Sequence, residues 1–296
     1  MTSDWKKALK FDFVTYKGDV NNLTSDATKW ELLKSEADNA HLFYAEPLDN
    51  TTLTKLGFTK LPTALYFAQM ADGGGYATQV ILANPGETQV SVTLDLFTSK
   101  GSPLTATVNG VANSSFSYTI KARGSLFLKT SGTAAQVSTG WVRVQADGLL
   151  GGSLIYANQT GGKVVAEADL DPSIPAQEFC FTVDTRQGYY SGLAMVNPTS
   201  APLDIRYALY DAAGSLKGQS SQTLGAMQHA ARLLGEIFPG QNLTDFSGMV
   251  TAVSSGGSIA ATTLRFDAAV DTLASIPVIT GVPIAKVPTA AQASTP

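Results

Sequence analysis

Three carboxylates recur at every second position near the middle of the chain. Glu167, Asp169 and Asp171 share one face if this segment is extended, because side chains alternate along a strand. Clustered carboxylate oxygens are the ligands that Ca²⁺ prefers, and the segment leads into a linker-like stretch, Pro172–Pro175. The spacing therefore indicates a calcium site between two domains, with a solvated acidic linker as the alternative. No other cofactor is expected.

Three tyrosines flank glycine-rich turns and are candidates for carbohydrate binding. They are Tyr76, Tyr189 and Tyr190. A tyrosine ring offers an apolar face and a polar edge, which suits the C–H surface and hydroxyl rim of a sugar. The alternative is a structural role, because Tyr76 and Tyr189 occupy matching positions in a sequence repeat.

The residues needed for common catalytic chemistry are scarce. The chain has two histidines, His41 and His229, and one cysteine, Cys180, with no basic residue beside the cysteine. Cys180 aligns with Ala68 in the repeat, so a small buried residue suits both positions. No Gly-x-Ser-x-Gly motif is present, and the glycines at 73–75 lack a following Lys-Ser/Thr. We therefore expect a protein that is not an enzyme.

The composition excludes several classes of protein. Of 296 residues, 44% are hydrophobic and only 15% are charged, with a net charge of −4. This apolar content can fill a core, which argues against disorder. The acidic balance argues against nucleic-acid binding, and one cysteine cannot form a disulfide framework. No apolar run is long enough to predict a membrane span.

The charged residues are unevenly distributed. Residues 1–62 hold 17 of them, whereas residues 63–296 hold 27. Such a step in composition indicates a domain boundary. An alternating stretch at Leu9–Phe13 and the helical spacing of Trp30, Leu33 and Ala37 predict a small α+β head over 1–62.

The body contains an internal repeat. Gly75–Ser102 aligns without a gap to Gly188–Ser215, with seven identities that include Gly-Tyr, Asn-Pro and Gly-Ser pairs. A second match joins Gly151–Leu154 to Gly256–Ile259. The repeat predicts two homologous domains over 63–176 and 177–283, followed by a flexible tail over 284–296.

Each repeat has the periodicity of strands. Apolar and polar residues alternate from Val90 to Leu96, and turn signals such as Asn109-Gly110 separate the runs. Asn84-Pro85 and Asn197-Pro198 each end an apolar run, where asparagine and proline stop a strand and start a turn. The pattern predicts an all-β chain of two tandem antiparallel Ig-like β-sandwiches preceded by the α+β head.

These motifs resemble a known group of proteins. The stretch from Ala71 to Pro85, followed by Ser115–Ile120 and Ala122–Gly124, resembles tandem Ig-like repeat regions of large secreted bacterial surface proteins, particularly acidobacterial ones. The resemblance spans roughly residues 65–280 and contains no site residues. It implies extracellular display, adhesion or a spacer role.

We therefore expect a non-enzymatic structural or adhesive protein whose partners are copies of itself or neighbouring surface proteins. A sharper hypothesis is a filament in which Trp5–Tyr16 or Val278–Val287 adds a strand to the edge of a neighbouring sandwich. The alternative is a carbohydrate-binding module for a polysaccharide. The low charge favours an extracellular or cell-surface location, with a signal peptide already removed.

Overall fold

Strands account for most of the described part of the chain, which comprises residues 63–161, 163–270 and 272–280 of a computed structural model. The predicted head, the tail and the segment Trp5–Tyr16 lie outside these residues. The first ten strands are β1 (Thr63–Asp72), β2 (Tyr76–Ala83), β3 (Val90–Thr98), β4 (Ala106–Val108), β5 (Val111–Asn113), β6 (Ser115–Ile120), β7 (Ser125–Lys129), β8 (Ser138–Ala146), β9 (Gly151–Thr160) and β10 (Lys163–Leu170).

A second set of elements follows a short linker. They are β11 (Glu178–Asp184), a 3-10 turn (Arg186–Gly188), β12 (Tyr190–Val196), β13 (Leu203–Asp211), β14 (Leu216–Leu224), β15 (His229–Leu233), α1 (Leu234–Ile237), β16 (Ser247–Ser255), β17 (Ala260–Phe266), β18 (Leu273–Ile276) and β19 (Ile279–Thr280). No helix in the described part of the chain has the length and apolar character needed to cross a membrane.

Each set folds into two antiparallel sheets that face each other. In the first sandwich the sheets have the strand orders β1-β8-β3-β6 and β10-β9-β2-β7, and in the second they have the orders β14-β13-β16-β11-β19 and β15-β12-β17-β18. A small β4-β5 hairpin completes the first set. Leu94 and Leu154 meet in the first core, and Tyr207 and Met195 meet in the second.

The predicted fold class is confirmed for the described residues, which form all-β antiparallel sandwiches. The reason is visible in β3, where Val90, Val92, Leu94 and Leu96 are buried and the residues between them face outward. An alternating strand buries one face against an opposing sheet, and two such sheets enclose a core.

The asparagine of each Asn-Pro corner ends a strand and also connects neighbouring segments through its side chain. The Asn84 side-chain amide donates hydrogen bonds to the carbonyl oxygens of Thr88, Ile120 and Lys121, and its own oxygen accepts one from the Gly86 N–H. Asn84 is 1% exposed. The side chain therefore joins the turn after β2 to the end of β6 and satisfies carbonyl groups that the strands leave unpaired.

The corner of the second sandwich is built in the same way. Asn197 donates to the carbonyl oxygens of Ala201, Leu224 and Gly225 and accepts from the Thr199 N–H. Asn197 is fully buried. Both repeats therefore use the same side chain as an internal connector.

The strand pairing shows which residues of the two sandwiches correspond. Phe97 pairs with Trp141 in the first sandwich as Tyr210 pairs with Met249 in the second. A glycine precedes each partner, Gly140 before Trp141 and Gly248 before Met249. A Cβ atom at Gly140 would collide with the Phe97 carbonyl oxygen, and one at Gly248 would collide with the Tyr210 carbonyl oxygen. Trp141 and Met249 are therefore equivalent positions.

The same pairing corrects the predicted match of Cys180 with Ala68. Cys180 pairs with Thr251, whereas the position corresponding to Thr251 in the first sandwich, Arg143, pairs with Tyr66. Cys180 therefore corresponds to Tyr66. The sequence match is displaced by two positions. A β-bulge between Phe67 and Met70, a local feature with no clear sequence signal, inserts one residue into β1 and accounts for one of them.

The chain end of the second sandwich bears on the strand-exchange hypothesis. β19 pairs with Phe179 and Cys180 at the edge of β11, within its own sandwich. The described part of the predicted donor Val278–Val287 is therefore used internally, and its remainder lies outside the described residues.

Candidate functional site

The two sandwiches pack against each other through a small apolar cluster. Ala68 and Trp141 of the first sandwich contact Val196 and Ala260 of the second, and all four are almost completely buried. The Trp141 ring stacks on Phe97 with ring centroids 4.3 Å apart. Burying a tryptophan removes a large apolar area from water, so this ring anchors the interface.

Hydrogen bonds across the interface fix its geometry. The Trp141 indole N–H donates to the Met227 carbonyl oxygen over 3.1 Å. The Ser173 hydroxyl donates to the Ala261 carbonyl oxygen over 2.8 Å. Gly101 leaves space for the Met227 backbone, because an added Cβ would lie 2.8 Å from the Met227 carbonyl oxygen. The two sandwiches are therefore joined by hydrogen bonds as well as by apolar packing.

His229 lies inside this interface. Its Nε2 is 2.9 Å from the Gln69 side-chain oxygen, and its Nδ1 is 3.1 Å from the Ser99 hydroxyl. Burial lowers the pKa of His229 to about 4, although a hydrogen bond with the Ala68 backbone opposes this shift. The imidazole is therefore neutral at ordinary pH, and its role is to connect β15 with two segments of the other sandwich.

An aromatic cleft of about 230 Å³ opens beside the interface. The first sandwich contributes Tyr76 and Tyr156, whose rings stack with centroids 5.2 Å apart. The second contributes Phe266, Leu264 and residues of β12 and β15 to the other wall. The cleft exists because the two sandwiches dock side by side, so neither repeat alone forms it.

Tyr190 lies next to this cleft. Its ring stacks on Phe266 with centroids 5.9 Å apart, and it remains 43% exposed. It lines an adjoining hollow that shares Leu233 and Glu236 with the cleft. All three predicted sugar-binding tyrosines are therefore found at neighbouring hollows, Tyr76 at the cleft and Tyr189 and Tyr190 at the adjoining hollow.

Polar groups accompany the aromatic rings. Gln69, Arg232 and Glu236 line the cleft, and a Glu236 carboxylate oxygen accepts a hydrogen bond from the Leu233 N–H over 2.7 Å. Burial, together with the nearby Tyr76 hydroxyl, raises the pKa of Tyr156. The Tyr156 phenol is therefore protonated and engaged with the Tyr76 hydroxyl.

Tyr189 has a different environment from Tyr190. The Arg265 guanidinium lies 3.5 Å from the centre of its ring, a cation–π contact. Arg265 also pairs with Asp184, which accepts hydrogen bonds from Arg186. The Arg186 hydrogen bond holds the pKa of Asp184 at about 2. Asp184 and the two arginines therefore form a charge network, and its Arg265 packs on the Tyr189 ring.

The three predicted calcium ligands are exposed along β10 and the residue after it. Glu167 and Asp169 lie on the outer face of the sheet, and Asp169 accepts a hydrogen bond from the Ser153 hydroxyl. Within 63–161, 163–270 and 272–280, no three His, Cys, Asp or Glu residues are grouped so as to hold a metal ion. The calcium site, including Asp171, stays a prediction without support from the geometry.

Cys180 is partly buried on the outer face of the five-stranded sheet, and burial raises the pKa of its thiol. A raised pKa disfavours the nucleophilic thiolate. The other candidate nucleophile or base among the described residues, His229, is enclosed by neutral partners.

Sequence reasoning missed most residues of the interface and the cleft. Tyr156 and Phe266 carried no motif. The predicted match of Gly151 with Gly256 was wrong, because Gly151 pairs with Ala83 inside β9 whereas the residue opposite the equivalent Val196 is Ala260. Trp141 carries no motif of its own and lies in an alternating stretch. The useful signal was the mismatch of Trp141 with Met249, because a bulky ring on an outward position of one repeat alone points to a contact specific to that repeat.

No protein-family model matches the chain, and no curated protein is similar to it in sequence.

Proposed function

We propose that the chain is a non-enzymatic structural module of an extracellular or surface assembly, in which the two sandwiches act as one rigid spacer. The observation that carries this proposal is the interface itself. Trp141 is completely buried between the sandwiches and hydrogen-bonded to the Met227 backbone. A spacer must keep a fixed angle between its domains, and buried apolar contacts restrict domain motion where a bare linker would allow it.

The low charge and the sandwich fold agree with this proposal. Neutral side chains occupy many solvent-facing strand positions, such as Ser91, Ser117 and Thr119. The proposal includes the surface location and the bacterial Ig-like repeat resemblance as expectations from the sequence.

Rigidity can be measured directly on the full chain. Spin labels at Val111→Cys and Ser221→Cys, in a Cys180→Ser background, place one exposed reporter on each sandwich. The expected result is a single narrow distance distribution by double electron–electron resonance. Trp141→Ala should broaden the distribution, whereas Phe127→Ala should not, because Phe127 is a 63% exposed aromatic outside the interface.

A broad distribution in the unmodified interface would overturn the spacer proposal. So would equal broadening in the Trp141→Ala and Phe127→Ala variants, since the buried ring would then have no special role in holding the sandwiches together.

A second candidate function is carbohydrate binding at the aromatic cleft. The specific observation in its favour is that Tyr76, Tyr156 and Phe266 line one cleft from opposite sandwiches, beside Arg232 and Glu236. Aromatic faces with nearby hydrogen-bonding groups are suited to sugar rings.

Affinity electrophoresis through gels that contain single polysaccharides tests this candidate. Retardation by one polysaccharide should be lost in Tyr76→Ala and Tyr190→Ala and kept in the control Phe127→Ala. Unretarded migration on a broad polysaccharide panel, or equal loss in the control, would refute it.

A further inference from the structure

The first sandwich uses one particular face to hold the second sandwich. Gln69 and Ser99 form hydrogen bonds with His229. Gly101 lies against the Met227 backbone, and Trp141 packs in the apolar cluster. These four positions belong to β1, β8 and the turn after β3. We call this face the occupied socket.

The second sandwich has an equivalent face. Thr182 pairs with Met249. In the first sandwich the bulge that contains Gln69 lies opposite Trp141, so Thr182 takes the place of that bulge. By the gap-free alignment of the turns, Ala212 and Gly214 correspond to Ser99 and Gly101. The glycines share a left-handed backbone, with φ of 83° at Gly101 and 79° at Gly214.

This equivalent face is uncovered in the described part of the chain. Met249 is 37% exposed whereas Trp141 is completely buried. A Cβ added at Gly214 would meet nothing within 4 Å, whereas at Gly101 it would collide with the second sandwich. The position of the glycine is conserved between the repeats, but only one copy has a neighbour to contact.

The four equivalents surround one hollow. Thr182, Ala212, Gly214 and Met249 line a depression of about 900 Å³, which we call the open socket. Its floor includes Thr251, whose buried hydroxyl lacks a hydrogen-bond partner within the described ranges.

We propose that the open socket binds the first sandwich of a second copy of this chain, in the way that the occupied socket binds the second sandwich. The repeat indicates the occupant. The occupied socket of the first sandwich already binds the second sandwich, and the turn of the second sandwich that contacts this socket has a counterpart on the first sandwich.

That counterpart is the turn before β7 together with the first residue of β7, residues 121–125, which we call the plug. Arg123 corresponds to Met227, and both have the same unusual backbone, with φ of 57° and 58°. Ser125 pairs with Ala83 as His229 pairs with Val196. The Arg123 side chain is 75% exposed and forms a surface ion pair with Glu87 over 2.9 Å, so the plug lies at the surface of the first sandwich.

The resulting contact joins different surfaces of the two molecules. A heterologous contact of this kind leaves a free socket on one end and a free plug on the other, so it propagates into a chain of molecules unless the rotation closes a ring. The inference rests on the proposed function as a structural module. It replaces strand exchange with face-to-face docking. The open socket keeps the turn glycine of the occupied socket, whereas Met249 and Ala212 stand where Trp141 and Ser99 make hydrogen bonds, so the docking depends on packing.

Cross-linking between two differently labelled proteins tests the docking. In a Cys180→Ser background, one full-length protein carries Ala212→Cys in the socket and the other carries Ser125→Cys in the plug. These positions correspond to Ser99 and His229, which touch within one chain. After mixing and mild oxidation, socket–plug heterodimers should greatly outnumber both homodimers. The control pair, Ser221→Cys with Ser125→Cys, should show no such preference.

A charge placed in the socket provides the second measurement. Met249→Glu should weaken self-association in sedimentation velocity by at least about tenfold, because an unpaired carboxylate would be buried on docking. Val111→Glu, a matched change at a 58% exposed apolar residue, should leave it unchanged.

Heterodimers in random proportion, or equal effects of the two glutamate variants, would overturn the docking. The spin-label distance within one chain separates the two proposals. A narrow distance without selective cross-links refutes the docking alone, whereas a broad distance refutes the rigid spacer.

Discussion

The outer faces of β8 and β16 carry the clearest difference between the two sandwiches. Trp141 stacks on Phe97 and is covered by the other sandwich, whereas its equivalent, Met249, lies beside Tyr210 in an open hollow. The β3–β8 and β13–β16 pairings and the glycine before each of the two residues are the same. The difference teaches that a repeated fold specifies where a docking face lies, while single side chains on that face are adapted to the neighbour that covers it.

The strongest test of this comparison is truncation of the two equivalent side chains. Trp141→Ala should lower the free energy of unfolding by about 3–5 kcal/mol, because it removes a fully buried ring and leaves a cavity. Met249→Ala should lower it by less than about 1 kcal/mol, because the side chain is partly exposed. Urea denaturation of both variants measures the difference. Similar losses would contradict the assignment of covered and open faces.

Acidification should act on the occupied socket through His229. The imidazole is neutral in the folded chain down to pH about 4, whereas an unfolded chain protonates it below its ordinary value near 6.5. The unfolded state therefore binds more protons in this window, and stability falls as the pH falls from 6.5 to 4, by up to about 3 kcal/mol. His229→Gln should reduce the slope of stability against pH in urea titrations; an unchanged slope would contradict this role of the histidine.

The two asparagine corners are expected to behave alike, in contrast to the two faces. Asn84→Ala and Asn197→Ala each leave three buried or partly buried carbonyl groups without their donor. Each substitution should cost about 1–3 kcal/mol in the free energy of unfolding. Chemical denaturation provides the measurement. A loss at only one of the two corners would show that the repeats differ more deeply than their faces.

The smallest effect is expected at the two turn glycines. Both have a positive φ, so alanine strains the backbone by about 1 kcal/mol at either position. Gly101→Ala should cost more than Gly214→Ala, because its Cβ would lie 2.8 Å from the Met227 carbonyl oxygen. Differential scanning calorimetry of the pair resolves the order of the melting temperatures. If Gly214→Ala is the less stable variant, the covered and open faces have been assigned the wrong way round.

Much of the fold was predictable from local patterns. The alternation from Val90 to Leu96 determined which face of β3 is buried, and the Asn-Pro pairs marked where β2 and β12 end. Both signals depend on neighbours in sequence, which is why they could be read directly. The sequence match of Cys180 with Ala68 was wrong, and a bulge that changes the register without changing the composition accounts for part of the displacement.

The candidate cleft was only half predictable. Tyr76 and Tyr190 were chosen for their ring chemistry, but their separate partners, Tyr156 and Phe266, lie far away along the chain. Tyr189 had the same apparent chemistry, yet Arg265 occupies its ring face. Which tyrosine faces a cleft depends on the docking of two sandwiches, and no local pattern encodes that geometry.

The sequence by itself determined the all-β class, the duplication and the corners, because each follows from the period of side chains or from the hydrogen bonds of one residue with nearby backbone. Only the tertiary structure decided that Trp141 is covered and Met249 is not, and that His229 is buried between neutral partners. Burial of an outward-facing residue depends on what packs against the sheet from outside. That contact joins residues 86 to 160 positions apart in the chain, as in the hydrogen bonds of Trp141 with Met227 and of Gln69 with His229.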